Sequence, residues 1–259
     1  MWKKDRYILL LIIILLLLVL LFAWGAGRLR LSAVFGKKLF EEQFRAAAVL
    51  SEATAPKQEK ESAEKPVKEG EEKEDKGKVA LTFDDGPHPV YTLQLLNGLA
   101  ERKVKATFFI TGKNAENYPD LVLRMYEEGH LIGNHTYSHL QLNNRNREKF
   151  KAELVQTNEI IKEITGEEVV FVRPPYGSWD KKFEEELNMF PVLWTIDPLD
   201  WCSDDVSCVV NKVIPKIKEN SIILMHDEYA STVTAALRIV DELQEEGYTF
   251  VTVDEILFD

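Results

Sequence analysis

Cysteine is scarce in this sequence. The 259 residues include only Cys202 and Cys208, so no framework of several disulfides can hold the chain together. The two cysteines are close enough in sequence to form one local disulfide in an oxidising compartment, and they can equally remain thiols. The chain must rely on a hydrophobic core. With 45% apolar residues, it is long enough for one sizeable domain plus accessory sequence, but not for two large domains.

Two further features are missing, and each argues against a class of function. The formal net charge is -11 at pH 7, and no basic patch stands out in the C-terminal region, where the acidic residues concentrate. Binding of phosphate backbones needs such a patch, so we expect no nucleic-acid partner. No glycine-rich phosphate loop follows any predicted strand, which disfavours nucleotide binding.

The N-terminal part contains one long hydrophobic run. Every residue from 8 to 23 is apolar, and Tyr7 and Trp24 flank the run as interfacial aromatics. A stretch of about 18 residues is near the lower limit for crossing a bilayer. We therefore predict an uncleaved membrane anchor over residues 1–27, with a cleaved signal peptide as the alternative. Basic residues flank both ends of the run, so they do not determine its orientation.

Two segments of different character follow the anchor. The apolar positions of residues 28–50 are compatible with a juxtamembrane helix. Residues 51–77 are mostly Glu, Lys, Ala, Pro and Gly, and they contain no aromatic side chain. Such a segment buries too little apolar surface to offset its ordering entropy, so we predict a disordered charged linker. Residues 78–259 are then the folded domain.

Short apolar runs alternate with amphipathic stretches of helical period throughout the folded domain. The predicted strands are residues 79–83, 106–110, 131–133, 169–172, 192–196, 222–225 and 248–251. The predicted helices are residues 91–102, 117–128, 147–165, 206–218 and 232–246. This alternation predicts an α/β fold, a parallel barrel of about seven strands that is smaller than the usual eightfold form. An open doubly wound sheet is the alternative.

Polar residues follow several of these strands, which is where parallel barrels carry their catalytic groups. Asp84 and Asp85 follow the first strand. Two adjacent carboxylates are costly as anions without a cation or a shared proton, so they indicate a metal ligand beside a general base, with a plain turn as the alternative. His135 and His139 follow the third strand, and their spacing predicts one helical turn from which both imidazoles reach a single cation.

Three other strand ends carry reactive residues. Arg173 follows the fourth strand and is suited to hold a carboxylate by a forked contact. Tyr176 follows two prolines, so its amide is the first after them that can point into a site. His226 ends the sixth strand, and a carboxylate after the fifth, where Asp197 and Asp200 lie, can keep it protonated enough to act as an acid. Each residue alone also fits an ordinary loop; together they indicate one site on the barrel rim.

Five motifs in this order resemble the polysaccharide deacetylase family, also called the NodB-homology domain or carbohydrate esterase family 4. They are TFDDGP at 82–87, HTYSH at 135–139, RPPYG at 173–177, DPLDW at 197–201 and LMH at 224–226. The resemblance covers about residues 78–259 and implies a distorted, incomplete barrel of about seven strands. One departure follows Trp201, where Cys202 and Ser203 replace the proline-containing continuation common in the family.

The resemblance implies a role for each candidate residue. A divalent metal, usually zinc and replaceable by cobalt or manganese, is expected on three ligands: Asp85, His135 and His139. Asp84 is then the general base, oriented by Arg173. His226 is the general acid, tuned by Asp200.

The implied activity is metal-dependent removal of the N-acetyl group from amino sugars of a cell-surface polysaccharide, similar to peptidoglycan N-acetylglucosamine deacetylases. The amide of Tyr176 is expected to stabilise the oxyanion, and Tyr176, Trp201 and Leu224 are expected to wall the acetyl methyl group. One alternative is an O-acetyl esterase acting on a polysaccharide such as acetylated xylan, and another is an inactive wall-binding barrel. With the anchor predicted from the apolar run, such substrates imply that the chain is a single-pass cell-membrane protein with its C-terminal domain on the extracellular side.

Overall fold

The computed structural model describes residues 74–258. The predicted anchor, the juxtamembrane helix and the linker up to residue 73 lie outside these described residues. Within the described part, no helix combines the length and the apolar character needed to cross a membrane. Hydrogen bonds to the domain begin before residue 78, because the N–H of Lys76 donates to the carbonyl of Gly247 at 3.1 Å and the N–H of Thr249 donates to that of Gly77 at 3.0 Å.

Seven short strands form one parallel sheet, as predicted. They are β1 (Lys78–Asp84), β2 (Thr107–Ile110), β3 (Leu131–Asn134), β4 (Phe171–Val172), β5 (Phe190–Pro191), β6 (Ser221–His226) and β7 (Thr249–Val251). The strand order is β5-β4-β3-β2-β1-β6, and β7 pairs with the start of β1. β1 therefore pairs with three strands, and its carboxyl end lies between those of β2 and β6.

Helices connect the strands, as parallel pairing requires. They are α1 (Tyr91–Glu101), α2 (Gly112–Asn117), α3 (Pro119–Glu127), α4 (Arg147–Thr165), α5 (Lys182–Leu187), α6 (Val206–Val213), α7 (Ala230–Glu246) and α8 (Val253–Leu257). The long helices α4 and α7 end at Gly166 and Gly247, whose φ angles of 81° and 100° are left-handed. Glycine adopts that conformation without a Cβ clash, so both helices stop where the sequence provides one.

The barrel remains incomplete between β5 and β6, where one isolated bridge is formed by the segment after β5. The chain leaves β5 and runs to Ile196, which pairs with Ile223 of β6 in an isolated bridge. The predicted strand over residues 192–196 is therefore wrong: β5 covers Phe190–Pro191, and of the predicted residues Ile196 alone forms a bridge. The carbonyls of Val192 and Leu193 accept hydrogen bonds from the Arg173 side chain at 3.1 and 3.2 Å. They therefore bond a buried side chain and not the backbone of a neighbouring strand. The predicted distorted, incomplete barrel is confirmed.

Two predicted helices also differ from the structure, and proline accounts for both differences. The helix predicted at 117–128 begins only at Pro119, and α2 precedes it as a separate element. The helix predicted at 206–218 ends at Val213, because Pro215 lies in the 3₁₀ turn Ile214–Lys216 that follows. Proline fits the first turn of a helix but disrupts its interior, so the chain starts a new element at each position.

The side chains of β1 alternate between the two faces of the sheet, and this places Asp84, at the carboxyl end of the strand, on the face that lines the barrel interior. Val79, Leu81 and Phe83 pack in the large core between sheet and helices, whereas Ala80 belongs to the small interior core. Side chains alternate between the two faces of a strand. Asp84 therefore shares the interior face with Ala80, and its carboxylate lies at the mouth of the barrel.

His130 is a buried histidine that directly precedes β3. It therefore lies at the amino ends of the strands, away from the mouth of the barrel. Its Nδ1 accepts the backbone N–H of Ala106 at 3.0 Å, so the ring is neutral with its proton on Nε2. Burial, together with the nearby charges of Lys105 and Arg124, lowers the pKa of His130 to about 4, although Glu128 opposes this effect.

We expect His130 to make the folded domain acid-sensitive. Because the pKa of His130 is lower in the folded state than its ordinary value of 6.5, the unfolded chain binds the proton first. The contribution to stability is therefore complete above the ordinary pKa and is lost as the pH falls towards the folded value. Linkage gives a loss of about 2 kcal/mol between about pH 7.5 and about pH 5.

His130→Asn should remove this part of the pH dependence, since its amide oxygen can accept the same N–H. Urea unfolding of both proteins at the two pH values measures the difference. Equal pH-dependent losses in the two proteins would contradict the role of His130.

Candidate active site

Three potential metal ligands meet at the carboxyl ends of β1 and β3. The ligand atoms of Asp85, His135 and His139 all lie within 4.8 Å of one another. Oδ1 of Asp85 is 3.5 Å from Nε2 of His135 and 3.6 Å from Nε2 of His139. This oxygen is buried and has no hydrogen-bond partner among the described residues. Buried polar atoms normally have a partner, so a cation between the carboxylate and the two imidazoles fits this donor set.

An irregular loop, rather than a helical turn, brings the two histidines together. Residues 135–139 contain no helix, so the predicted helical turn is wrong. Thr136 and His139 have left-handed φ angles of 61° and 58°, and these two kinks bring the imidazole rings to a centroid distance of 4.9 Å. Non-glycine residues adopt this conformation at an energetic cost. Tertiary contacts must therefore hold the loop.

The proton of His135 is fixed by a backbone carbonyl. Nδ1 of His135 lies 2.5 Å from the carbonyl oxygen of Arg173. A carbonyl oxygen only accepts, so Nδ1 carries the proton and Nε2 directs its lone pair towards Asp85. Burial lowers the pKa of His135 to about 3 despite the opposing charge of Asp85. The ring is neutral, which is the form that a metal binds.

Asp84 is held by a single hydrogen bond from Arg173, not by the predicted forked contact. Nη1 of Arg173 donates to Oδ1 of Asp84 at 2.8 Å and to Oγ1 of Thr82 at 2.7 Å. Nε and Nη2 donate to the carbonyls of Val192 and Leu193, so the guanidinium directs one N–H, and not a fork, to Asp84. Burial raises the pKa of Asp84, and the charge of Arg173 opposes the rise. The second oxygen of Asp84 receives no bond from the guanidinium.

Asp200 holds His226 in the protonated form. Oδ1 of Asp200 lies 2.9 Å from Nδ1 of His226, while Oδ2 accepts the N–H of His226 and the hydroxyl of Thr232, both at 2.8 Å. Burial alone would lower the pKa of His226, but the hydrogen bond and charge of Asp200, with the charges of Asp84 and Asp85, raise it to about 9. The imidazole is thus an acid at neutral pH.

The predicted site residues all gather around one cavity of about 410 Å³. Eight of them line it: Asp84, Asp85, His135, His139, Tyr176, Trp201, Leu224 and His226. Arg173 and Asp200 are buried behind this lining and contact it through Asp84 and His226. The structure therefore brings together every residue predicted from the five motifs.

Five further residues line the cavity and were not assigned a role from the sequence. They are Pro174, Trp194, Asp197, Leu199 and Tyr229. Leu199 and Tyr229 are 41% and 39% exposed, so this part of the wall is an open apolar surface. Leu199 and Tyr229 lie within three residues of Asp200 and His226. Large apolar side chains after the strands were the available signal for them.

The two cysteines are free thiols in the structure. Cys202 is exposed, and its thiol donates to the carbonyl of Leu199 at 3.1 Å. Asp205 caps the next helix by accepting the N–H groups of Ser207 and Cys208. Of the two alternatives left open by the sequence, the structure has the unpaired one.

Comparison with known proteins identifies the family. Residues 71–192 match the family model described as polysaccharide deacetylase. A peptidoglycan-N-acetylglucosamine deacetylase of Bacillus cereus is 39% identical over 187 residues, which are 69% of this chain and 87% of that protein. The chain belongs to the polysaccharide deacetylase family. It is thus a member of a family of hydrolases, and the resemblance based on the five motifs is confirmed.

Other members of the polysaccharide deacetylase family support the assignment of the fold. The peptidoglycan-N-acetylmuramic acid deacetylase PdaC of Bacillus subtilis is 36% identical over 178 residues, which are 69% of this chain and 38% of that longer protein. A solved structure of peptidoglycan deacetylase PdaC from Bacillus subtilis has a TM-score of 0.67 at 36% identity, covering 70% of this chain and 90% of that one.

We expect Asp200→Asn to lower the pKa of His226. The Asp200 carboxylate, through its hydrogen bond and its charge, is the main influence that opposes the lowering of the His226 pKa by burial. The substitution removes this charge, and an adjacent opposite charge typically shifts a pKa by about 1–3 units. The imidazole, protonated up to about pH 9 in the wild type, should then lose its proton at a pH lower by at least about one unit. Histidine NMR titration of the metal-free protein measures this. An unchanged pKa would contradict the role of Asp200.

Proposed function

We propose that this polysaccharide deacetylase hydrolyses the N-acetyl group of amino sugars in a cell-surface polysaccharide, with peptidoglycan as the polymer, and releases acetate. The observation that carries the proposal is the presence of a buried carboxylate, a protonated imidazole and a potential metal triad around one cavity of about 410 Å³. Amide hydrolysis needs all three: a base for water, a site for the oxyanion and an acid for the amine. The relatives named for peptidoglycan deacetylation support the choice of polymer.

Asp85, His135 and His139 would hold a divalent ion. One carboxylate and two neutral imidazoles are a donor set suited to zinc, and cobalt or manganese could replace it. When bound, the ion supplies a Lewis acid that polarises the acetamido carbonyl and lowers the pKa of water. The unpartnered Oδ1 of Asp85 supports this assignment.

Asp84 is assigned as the general base. Arg173 fixes its Oδ1, so Oδ2 is the oxygen that takes the proton from the attacking water. Burial raises the pKa of Asp84 and makes it a stronger base than an exposed aspartate. The backbone N–H of Tyr176 is assigned to the developing oxyanion, because Pro174 and Pro175 before it have no N–H to offer.

His226 is assigned as the general acid. Its proton passes to the departing nitrogen, because an amine leaves poorly as an anion. Asp200 keeps this proton in place at neutral pH and stabilises the imidazolium until transfer. Tyr176, Trp201 and Leu224, with the additional wall residues, would enclose the acetyl methyl group.

The N-terminal segments complete the proposal. We infer an anchor over residues 1–27, a juxtamembrane helix over 28–50 and a charged spacer over 51–77, with the catalytic domain at 78–259 outside the cell. The apolar run from residue 8 to 23 supports the anchor. The cell-wall substrates named for the relatives support the outward-facing domain.

Asp84→Asn should lower kcat by at least about a hundredfold, the usual scale of lost general base catalysis. The amide cannot accept a proton from water, while its oxygen can still accept the Arg173 bond. Since Asp84 is not among the three proposed ligands, bound zinc, measured by elemental analysis, should match the wild type. An unchanged rate of acetate release would contradict the assignment.

The full chain, purified in detergent, should release acetate from peptidoglycan and from N-acetylglucosamine oligomers, and chelation should abolish the activity until zinc is restored. Acetylated xylan is the matched ester substrate. Faster release from xylan than from both amide substrates would favour the O-acetyl esterase. No release from any of the three would favour an inactive wall-binding barrel. Mass spectrometry of the digested glycan then identifies the deacetylated sugar.

A further inference from the structure

A buried glutamate on α4 holds the loop that carries two of the three proposed ligands. Glu153 is 7% exposed. Its Oε2 accepts the backbone N–H of Ser138 at 3.0 Å, and the hydroxyl of Ser138 lies 2.9 Å from Oε1 and 3.0 Å from Oε2. Ser138 directly precedes His139 in the chain. The Glu153 carboxylate is therefore hydrogen-bonded to the residue immediately before the proposed ligand His139.

Glu153 differs from the other residues on the buried face of its helix. In α4, which is described from end to end, five residues are buried: Phe150, Glu153, Leu154, Thr157 and Ile161. Glu153 is the charged member of this set. A buried carboxylate is costly unless hydrogen bonds compensate for lost hydration, and an apolar residue would serve packing better. The Oε1 atom of Glu153 also lies 3.8 Å from Nζ of Lys149, whose side chain is largely exposed. The bonds to Ser138 are shorter and buried with the carboxylate, so they are the main feature that accounts for a charged residue here.

His139 depends on such support more than His135 does. The ring of His135 is oriented by the bond from its Nδ1 to the carbonyl of Arg173. Among the described residues, the ring of His139 has no hydrogen bond, and its aromatic neighbour Tyr176 is at a centroid distance of 5.0 Å. His139 also has a left-handed φ angle of 58°. Its orientation is therefore set by its backbone, which has no intrinsic preference for this conformation.

We propose that Glu153 is a positioning residue of the metal centre. Through Ser138 it holds the backbone at His139 in the conformation that directs Nε2 towards Asp85 and His135. The inference rests on the metal site assigned in the proposed function. Groups that orient metal ligands typically contribute about 10–100-fold to metal affinity, so we expect an effect of this size on zinc binding.

The test is the zinc dissociation constant of the full chain, measured in detergent by competition with a chromophoric chelator. Glu153→Ala should weaken binding by about 10–100-fold. Glu153→Gln should stay close to the wild type, because its amide oxygen can accept the Ser138 N–H while its NH₂ group donates to the hydroxyl. Glu159→Ala is the matched control, an exposed glutamate of the same helix, and should leave affinity unchanged. Equal affinity in Glu153→Ala and the control would overturn the proposal.

The melting temperature of the metal-free protein separates positioning from a structural role. A lower melting temperature in Glu153→Ala without weaker zinc binding would mean that Glu153 only stabilises the fold, and would overturn the proposal. The cobalt absorption spectrum gives a second readout, since a reoriented His139 changes the ligand field, and an unchanged spectrum at full occupancy would also count against it.

Ser138→Ala tests the route against the wild type even if Glu153→Ala does not fold. It removes the hydroxyl contacts and keeps the N–H contact, so its zinc affinity should lie below that of the wild type and, where Glu153→Ala folds, above that of Glu153→Ala; an affinity equal to the wild type would count against the proposal. The double variant should bind no more weakly than Glu153→Ala alone, because the hydroxyl has already lost its partner. Additive losses would contradict coupling through this contact. Failure of the wild type to bind zinc would instead overturn the metal centre itself.

Discussion

The buried guanidinium of Arg173 is the interaction on which the rest of the site depends. It bonds Asp84 and Thr82 on β1, and it also bonds the carbonyls of Val192 and Leu193 in the segment that leads to β6. Burying a cation and an anion costs hydration energy that their attraction alone does not recover, so this pair is weak evidence for stability. Its value lies in geometry, because the planar fork fixes three parts of the barrel relative to one another.

Arg173 also makes contacts through its backbone carbonyl and with an aromatic ring. Its carbonyl accepts a hydrogen bond from Nδ1–H of His135, so the residue that holds the proposed base also sets the tautomer of a proposed ligand. The guanidinium stacks on Phe109, with its central carbon 4.2 Å from the ring centroid. An arginine at this position is therefore constrained from three sides. A lysine, with a point charge and no planar fork, could not make the same set of contacts.

Three aspartates at one site have different chemistry because their surroundings differ. Asp84 is bonded to a guanidinium, Asp200 to an imidazole and a hydroxyl, and Asp85 leaves one buried oxygen without a partner. The adjacency of Asp84 and Asp85 in the sequence indicates a pair with divided roles, but not which residue has which role. The alternation of β1 separates them, since Asp84 is its last residue and Asp85 has a left-handed φ angle of 76°.

Much of the fold and most of the site were predictable from the sequence. The alternation of apolar runs and amphipathic stretches predicted seven parallel strands, because strand and helix periods are local properties of a sequence. The strand predicted at 192–196 was displaced from β5, and the helix predicted at 206–218 extended past Pro215, because pairing and proline positions override propensity at the ends of elements. His135 and His139 were correctly grouped, although their spacing suggested a helix and the chain forms an irregular loop.

The sequence by itself determined the barrel class and the chemical groups at its rim, since strand ends and motif residues can be recognised from their order along the chain. Only the tertiary structure decided the tautomer of His135, the raised pKa of His226, the single bond between Arg173 and Asp84, and the contact between Glu153 and Ser138. Each of these depends on atoms far apart in sequence that meet in a region shielded from water. There, burial and hydrogen bonding, rather than residue type, determine where protons lie and which way a ligand faces.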